Sequence, residues 1–104
     1  MSSMFNSGRN LKEIKLTNFD TRNVRDMSKM FYYCQSFTSL DLRKINTENV
    51  VNMNKMFSNC KKLDYLDLSS FKTSNVEDME ELFGNCEELK SINLKNWDVR
   101  EVKK

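Results

Sequence analysis

One apolar skeleton recurs every 26 residues, four times in 104, without insertion or deletion. Met27, Met53 and Met79 share one column, and Phe5, Phe31, Phe57 and Phe83 another. Leu16, Leu42, Leu68 and Leu94 make a third, and Cys34, Cys60 and Cys86 a fourth. Self-similarity at a fixed period of this length marks a stack, in which each unit buries its apolar side against the next. Each apolar position is worth roughly 1.5–3 kcal/mol on burial, while ordering the backbone costs about 1–2 kcal/mol per residue. Within one unit these terms are comparable, so an isolated unit does not persist and cover from both neighbours decides the fold.

Composition alone, 38% hydrophobic and 31% charged, would also fit a disordered chain. The even spacing of Met, Phe and Leu argues against that. The formal charge of +2 is spread over both signs, which leaves neither the basic stripe that nucleic acid demands nor a polybasic cluster for a membrane. No run approaches the roughly 18 apolar residues of a membrane span. Met1-Ser-Ser-Met-Phe-Asn lacks the charged and apolar regions of a signal peptide and already follows the repeat.

Within each unit, Phe37-Thr-Ser-Leu40-Asp-Leu42 sets the form L-x-x-L-x-L, matched by Leu11–Leu16, Leu63–Leu68 and Leu89–Leu94. Its last four positions alternate, which predicts a short half-buried strand in each of 11–16, 37–42, 63–68 and 89–94. A loop follows with Phe19, Ile45, Phe71 or Trp97, then Thr21, Thr47 or Thr73. Asn23, Asn49 and Asn75 come next, each before an apolar run such as Val50, Met53, Met56, Phe57 and Cys60. That spacing lies on one helical face, and Asn is a favoured N-cap. Helices are therefore expected near 24–33, 50–59 and 76–85, with Asn59 and Asn85 as left-handed stops. The expected fold class is α/β: a leucine-rich-repeat solenoid of four 26-residue strand-loop-helix coils, with a narrow parallel sheet on one side and helices on the other. Residues 1–104 make one repeat domain.

No atypical caps mark the ends. Met1 starts in the phase of Met27, and Val102-Lys-Lys followed by the Met1 of another chain repeats the step Val24-Arg-Asp-Met27. Two origins fit: a fragment of a longer array, or head-to-tail association of chains through an end face containing Met1, Met4, Phe5, Trp97 and Val102.

The stretch Phe71-Lys-Thr-Ser-Asn-Val-Glu-Asp-Met-Glu-Glu-Leu-Phe-Gly-Asn-Cys-Glu-Glu-Leu89 resembles the repeat of BspA-type leucine-rich-repeat surface proteins, like those of Mycoplasma and Firmicute surface lipoproteins. Its theme is F-x-T-S-N-V-x-D-M-x-x-M-F-x-x-C-x-x-L, and the likeness runs through essentially the whole chain. Departures fall mostly toward the ends: Gly8 stands for the Cys, Leu82 for the second Met, and Val99 and Glu101 for Thr and Asn. The resemblance implies a bacterial cell-surface or extracellular setting, long arrays, adhesion and protein partners. It brings no catalytic residues.

The outward strand positions vary while the inward ones do not, and in a solenoid that face meets partners. The candidates are Glu13, Lys15, Asp41, Arg43, Tyr65, Asp67, Asn93 and Lys95, centred on Asp41, Tyr65 and Asp67. Asp41 and Asp67 fall on equivalent positions of adjacent strands, about 4.8 Å apart, where like charges repel. Neutralisation by Arg43 and Lys15 accounts for them; acceptance of a cation or a basic partner group, with Tyr65 as a rigid anchor, is the functional alternative. The Cys column completes the apolar face and behaves as a set of small hydrophobes; without paired ligand spacing or any histidine it does not make a zinc site. With no Gly-rich phosphate loop and no base beside Ser or Cys, neither an enzyme nor a cofactor is expected. The leading expectation is a non-enzymatic protein-binding and adhesion module; the alternative is a structural spacer or self-assembling element working through its ends.

Overall fold

The computed structural model describes residues 20–38 and 40–103. Two three-residue strands form, β1 (Tyr65–Asp67) and β2 (Ser91–Asn93). They pair in parallel, with Tyr65 opposite Ser91, Leu66 opposite Ile92 and Asp67 opposite Asn93. Each register pair is 26 residues apart, so equivalent positions of successive units are laid side by side.

The helices are not there. No described residue is helical, and this overturns the α/β leucine-rich-repeat solenoid of strand-loop-helix coils. In place of the helices near 24–33, 50–59 and 76–85 the chain runs through overlapping turns, 27–34, 53–60 and 79–86. Even-numbered amides of the first run close these turns: Met30 N donates to Met27 O, Tyr32 N to Lys29 O, and Cys34 N to Phe31 O, at 3.1–3.3 Å. Met27, Lys29, Phe31 and Tyr33 instead donate to the next run, at Asn52, Asn54, Met56 and Ser58 O, at 2.8–3.0 Å. The second run repeats this toward the third, from Met53, Lys55, Phe57 and Asn59. A helix satisfies every amide inside its own segment; here alternate amides are spent between segments.

Layer pitch explains the choice. Packed helices lie 8–10 Å apart, whereas hydrogen-bonded backbones lie about 4.8 Å apart. The rings of Phe31 and Phe57 are stacked at 5.6 Å, and those of Phe57 and Phe83 at 5.8 Å. At that pitch a helix does not fit. Isolated parallel pairings of Asp26 with Asn52 and of Asn52 with Asp78 continue the same alignment. The first and third turns of each run need a left-handed third residue, supplied by Lys29, Tyr33, Lys55, Asn59, Glu81 and Asn85 at φ of 52–64°. Asn59 and Asn85 are thus left-handed, as expected, but they belong to turns and not to helix ends.

The segment 11–16 lies outside the described residues, those described in 37–42 form no strand, and 63–68 and 89–94 contain β1 and β2. Between the strand side and the turn side lies the core: Met27, Met30, Phe31, Met53, Met56, Phe57, Leu63, Leu66 and Leu68 are fully buried. At the corner, buried threonines join the layers. Thr21 Oγ1 donates to Asn46 O (3.0 Å) and accepts from Asn46 N (2.8 Å). Thr47 does the same with Lys72, and Thr73 with Asp98. Asn49 and Asn75 reach the other way, each amide donating to a carbonyl of the preceding unit, Arg22 O and Glu48 O, at 2.7 and 2.8 Å. They tie layers together, with no helix to cap.

Candidate functional site: the outward sheet face

Alternation in β1 turns Leu66 inward, fully buried, and leaves Tyr65 46% exposed. The register then places Ser91 beside Tyr65 and Asn93 beside Asp67. Ser91 is exposed; Asp67 and Asn93 are half-buried. Asp41, Arg43 and Lys95 are exposed as well. Of the residues expected from sequence, Tyr65, Asp67 and Asn93 are brought together on paired strands, and Glu13 and Lys15 lie outside the described residues. Ser91, an outward position of the same segment left out of the candidate set, joins them through the register.

The carboxylates on this face have structural work. Asp41 accepts from its neighbour-but-one, Arg43, three times: from N (3.2 Å), Nε (2.9 Å) and a terminal guanidinium nitrogen (2.8 Å). Asp67 accepts from Ser69 N (3.0 Å) and Oγ (2.6 Å), and Asn93 from Lys95 N (3.0 Å). Each is an Asx turn that ends the strand side of its unit. The Arg43 side chain holds the Asp41 carboxyl at about 2, with help from the Arg43 amide. Ser69 lowers that of Asp67, and Arg43 adds to the lowering. Arg43 therefore stands electrostatically between the two acids, and the like-charge pair is neutralised within the chain.

Two more Asx columns repeat the device. Asp26, Asn52 and Asp78 accept from Ser28, Asn54 and Glu80 N; Asp20, Asn46 and Asp98 accept from Arg22, Glu48 and Arg100 N. Six of the seven aspartates are thus turn residues. Tyr65, with no such duty, is the large side chain the face offers.

The cysteines are built into the stack. The Cys60 thiol donates to Phe31 O (3.1 Å) and that of Cys86 to Phe57 O (3.0 Å), and burial pushes both thiols upward in pKa. None of Cys34, Cys60 and Cys86 is in a disulfide. Among the described residues no group of three His, Cys, Asp or Glu is placed to hold a metal ion, and none forms a helix long and apolar enough to cross a membrane.

At the end face, Trp97 is half-buried, stacked on Phe71 at 6.4 Å and donating from Nε1 to Leu68 O at 2.8 Å. Val102 is half-buried too. Met1, Met4 and Phe5 lie outside the described residues. Leu94 and Val99, which sequence reasoning did not select, are 41% and 59% exposed.

The whole chain, residues 1–104, matches a family model described as Mycoplasma protein of unknown function, DUF285. No curated protein and no solved structure matches it.

Proposed function

The chain belongs to this Mycoplasma family, DUF285, and on that premise we propose that it is a non-enzymatic recognition module whose outward sheet face binds another protein. The observation that carries this is Tyr65: a large aromatic side chain, nearly half exposed, on a strand whose neighbouring residue Leu66 is fully buried. Anchoring by Leu66 and pairing with β2 fix the backbone, so Tyr65 loses little further freedom on binding. Rigid aromatic anchors of this kind dominate protein interfaces. Ser91, Asn93, Asp67 and the Asp41–Arg43 pair supply a polar rim around it.

The finer likeness of the repeat sequence to BspA-type surface proteins supports a bacterial surface setting, with adhesion to a protein on another cell as the role. The test is capture from a host-cell surface-protein extract on immobilised chain, run beside Tyr65→Ala. A captured protein whose affinity falls roughly 30-fold or more in the variant, the effect of losing a hot-spot residue of about 2 kcal/mol, supports the face. Equal retention by both chains removes it.

A further inference from the structure

We infer that the outward side of the turn runs 27–34, 53–60 and 79–86 pairs with the same side of a second copy of this chain, the two stacks lying antiparallel. Within a run the core takes the positions of Met27, Met30, Phe31 and Cys34, all fully buried. The pairs between them, Ser28–Lys29 and Tyr32–Tyr33 and their equivalents, point the other way. These pairs change chemistry from layer to layer. In the run 27–34 they are cationic and aromatic: Lys29 is exposed and lies 5.7 Å over the Tyr32 ring, and Tyr32 meets Tyr33 edge to face at 4.6 Å. In the run 79–86 they are anionic and small. Glu80 and Glu81 are exposed there, and Gly84 and Asn85 stand in the columns of Tyr32 and Tyr33.

Such a face is complementary to itself once one copy is turned over. A two-fold axis lying along the middle run keeps the columns and reverses the layers. Lys29 of each copy then meets Glu81 of the other, and each Tyr32–Tyr33 pair covers the low step at Gly84–Asn85. Lys55 falls near the axis with Glu81 of its own chain 3.7 Å away, so the centre is balanced in charge. Opposite charge and opposite relief on one face select a second copy as the occupant. The contact is isologous and closes at two copies.

The backbone at Tyr33 supports this reading. Tyr33 is held at φ 61°, where its equivalents Asn59 and Asn85 take 64° and 58°. That left-handed conformation is costly for a bulky side chain and mild for Asn. The ring thus costs the fold stability, which a contact outside the fold offsets. About a dozen side chains make up the face, against roughly 20–30 per side in a standard interface. Pairing is therefore weak and, because its ends are charged, sensitive to salt.

This proposal is independent of the sheet-face function, and sedimentation equilibrium up to high protein concentration, in low and high salt, tests it. The average mass is expected to rise from one copy to two and stop there, with high salt moving the transition to higher concentration. Lys29→Glu and Glu81→Lys each introduce a residue that another layer already carries in the same left-handed conformation, and both urea midpoints are expected to stay close to the parent's. Either substitution alone sets like charges together twice per dimer, and is expected to weaken pairing roughly tenfold or more. Mixed in equal amounts, the two chains are expected to pair with each other as the parent does with itself. Tyr33→Asn is expected to weaken pairing while its urea midpoint holds or rises, and Tyr65→Ala to pair as the parent does. A parent that stays monomeric throughout, a mass that climbs past two copies, or a charge-swapped mixture that does not pair would each overturn the inference. So would loss of pairing in Tyr65→Ala, or undiminished pairing in Tyr33→Asn.

Discussion

At the scale of single residues, polar side chains set the spacing of the layers. Thr47 is buried, and its hydroxyl exchanges two hydrogen bonds with the backbone of Lys72. Thr47→Val keeps the shape but takes the side-chain partner from the part-buried amide and carbonyl of Lys72, which costs up to about 1–3 kcal/mol. The urea midpoint is expected to fall accordingly and to recover largely in Thr47→Ser. The exposed Asx acids act in the same direction more weakly. Arg22 and Arg43 hold the Asp20 and Asp41 carboxyls at about 2, below their ordinary 3.8. Because the folded value is the lower one, their contribution is present above pH 3.8 and is lost as pH falls toward 2. Both pairs are exposed and open to screening, so the loss is small and salt narrows it. Urea midpoints measured from pH 5 down to about 2, at low and high salt, check both statements; a midpoint that rises on acidification contradicts the sign.

At the scale of elements, the apolar columns were legible and the backbone between them was not. Met53, Met56, Phe57 and Cys60 are all buried, as their spacing requires. A helical face and a run of overlapping turns place such residues inward alike, so periodicity could not separate them. What differs is where the amides go, and Phe57 N reaches Leu82 O, 25 residues on. The close spacing of phenylalanines in one column, 5.6 and 5.8 Å between rings, marks the difference, since helices stacked in that register would hold those rings farther apart. The column itself does not carry that distance. The outward face was read from alternation in 63–68 and 89–94, where two strands do form; the Asx turns that occupy its acids were missed because Asp41-x-Arg43 reads as a plain surface ion pair. Glu81 distinguishes turn from helix by sign. It is exposed, at φ 52°, a conformation that Asn adopts at less cost than Glu. Glu81→Asn is expected to hold or raise the thermal midpoint. In a helix the same change would lower stability by up to about 0.7 kcal/mol.

At the scale of the whole molecule, the stack is directional, and its stability is distributed accordingly. A layer covered on both sides opens less readily than one covered on one side. Hydrogen exchange resolves this residue by residue, because equivalent amides in successive layers differ only in having an acceptor. Lys55, Phe57 and Asn59 N–H are paired to Glu80, Leu82 and Gly84 O; exchange there needs the layers to separate, and protection is expected to approach the global value. Glu81, Phe83 and Asn85 sit in the same turn conformation without a backbone acceptor among the described residues, and in dilute solution they are expected to exchange at close to the unprotected rate. Even-numbered amides such as Gly84 N, bonded locally to Glu81 O at 3.0 Å, fall between the two. An alternating pattern of fast and intermediate exchange through 81–86, against uniformly slow odd-numbered amides through 55–59, is the fingerprint of turns laid layer on layer. Uniform protection along 79–86 would instead mean that each amide is satisfied within its own segment.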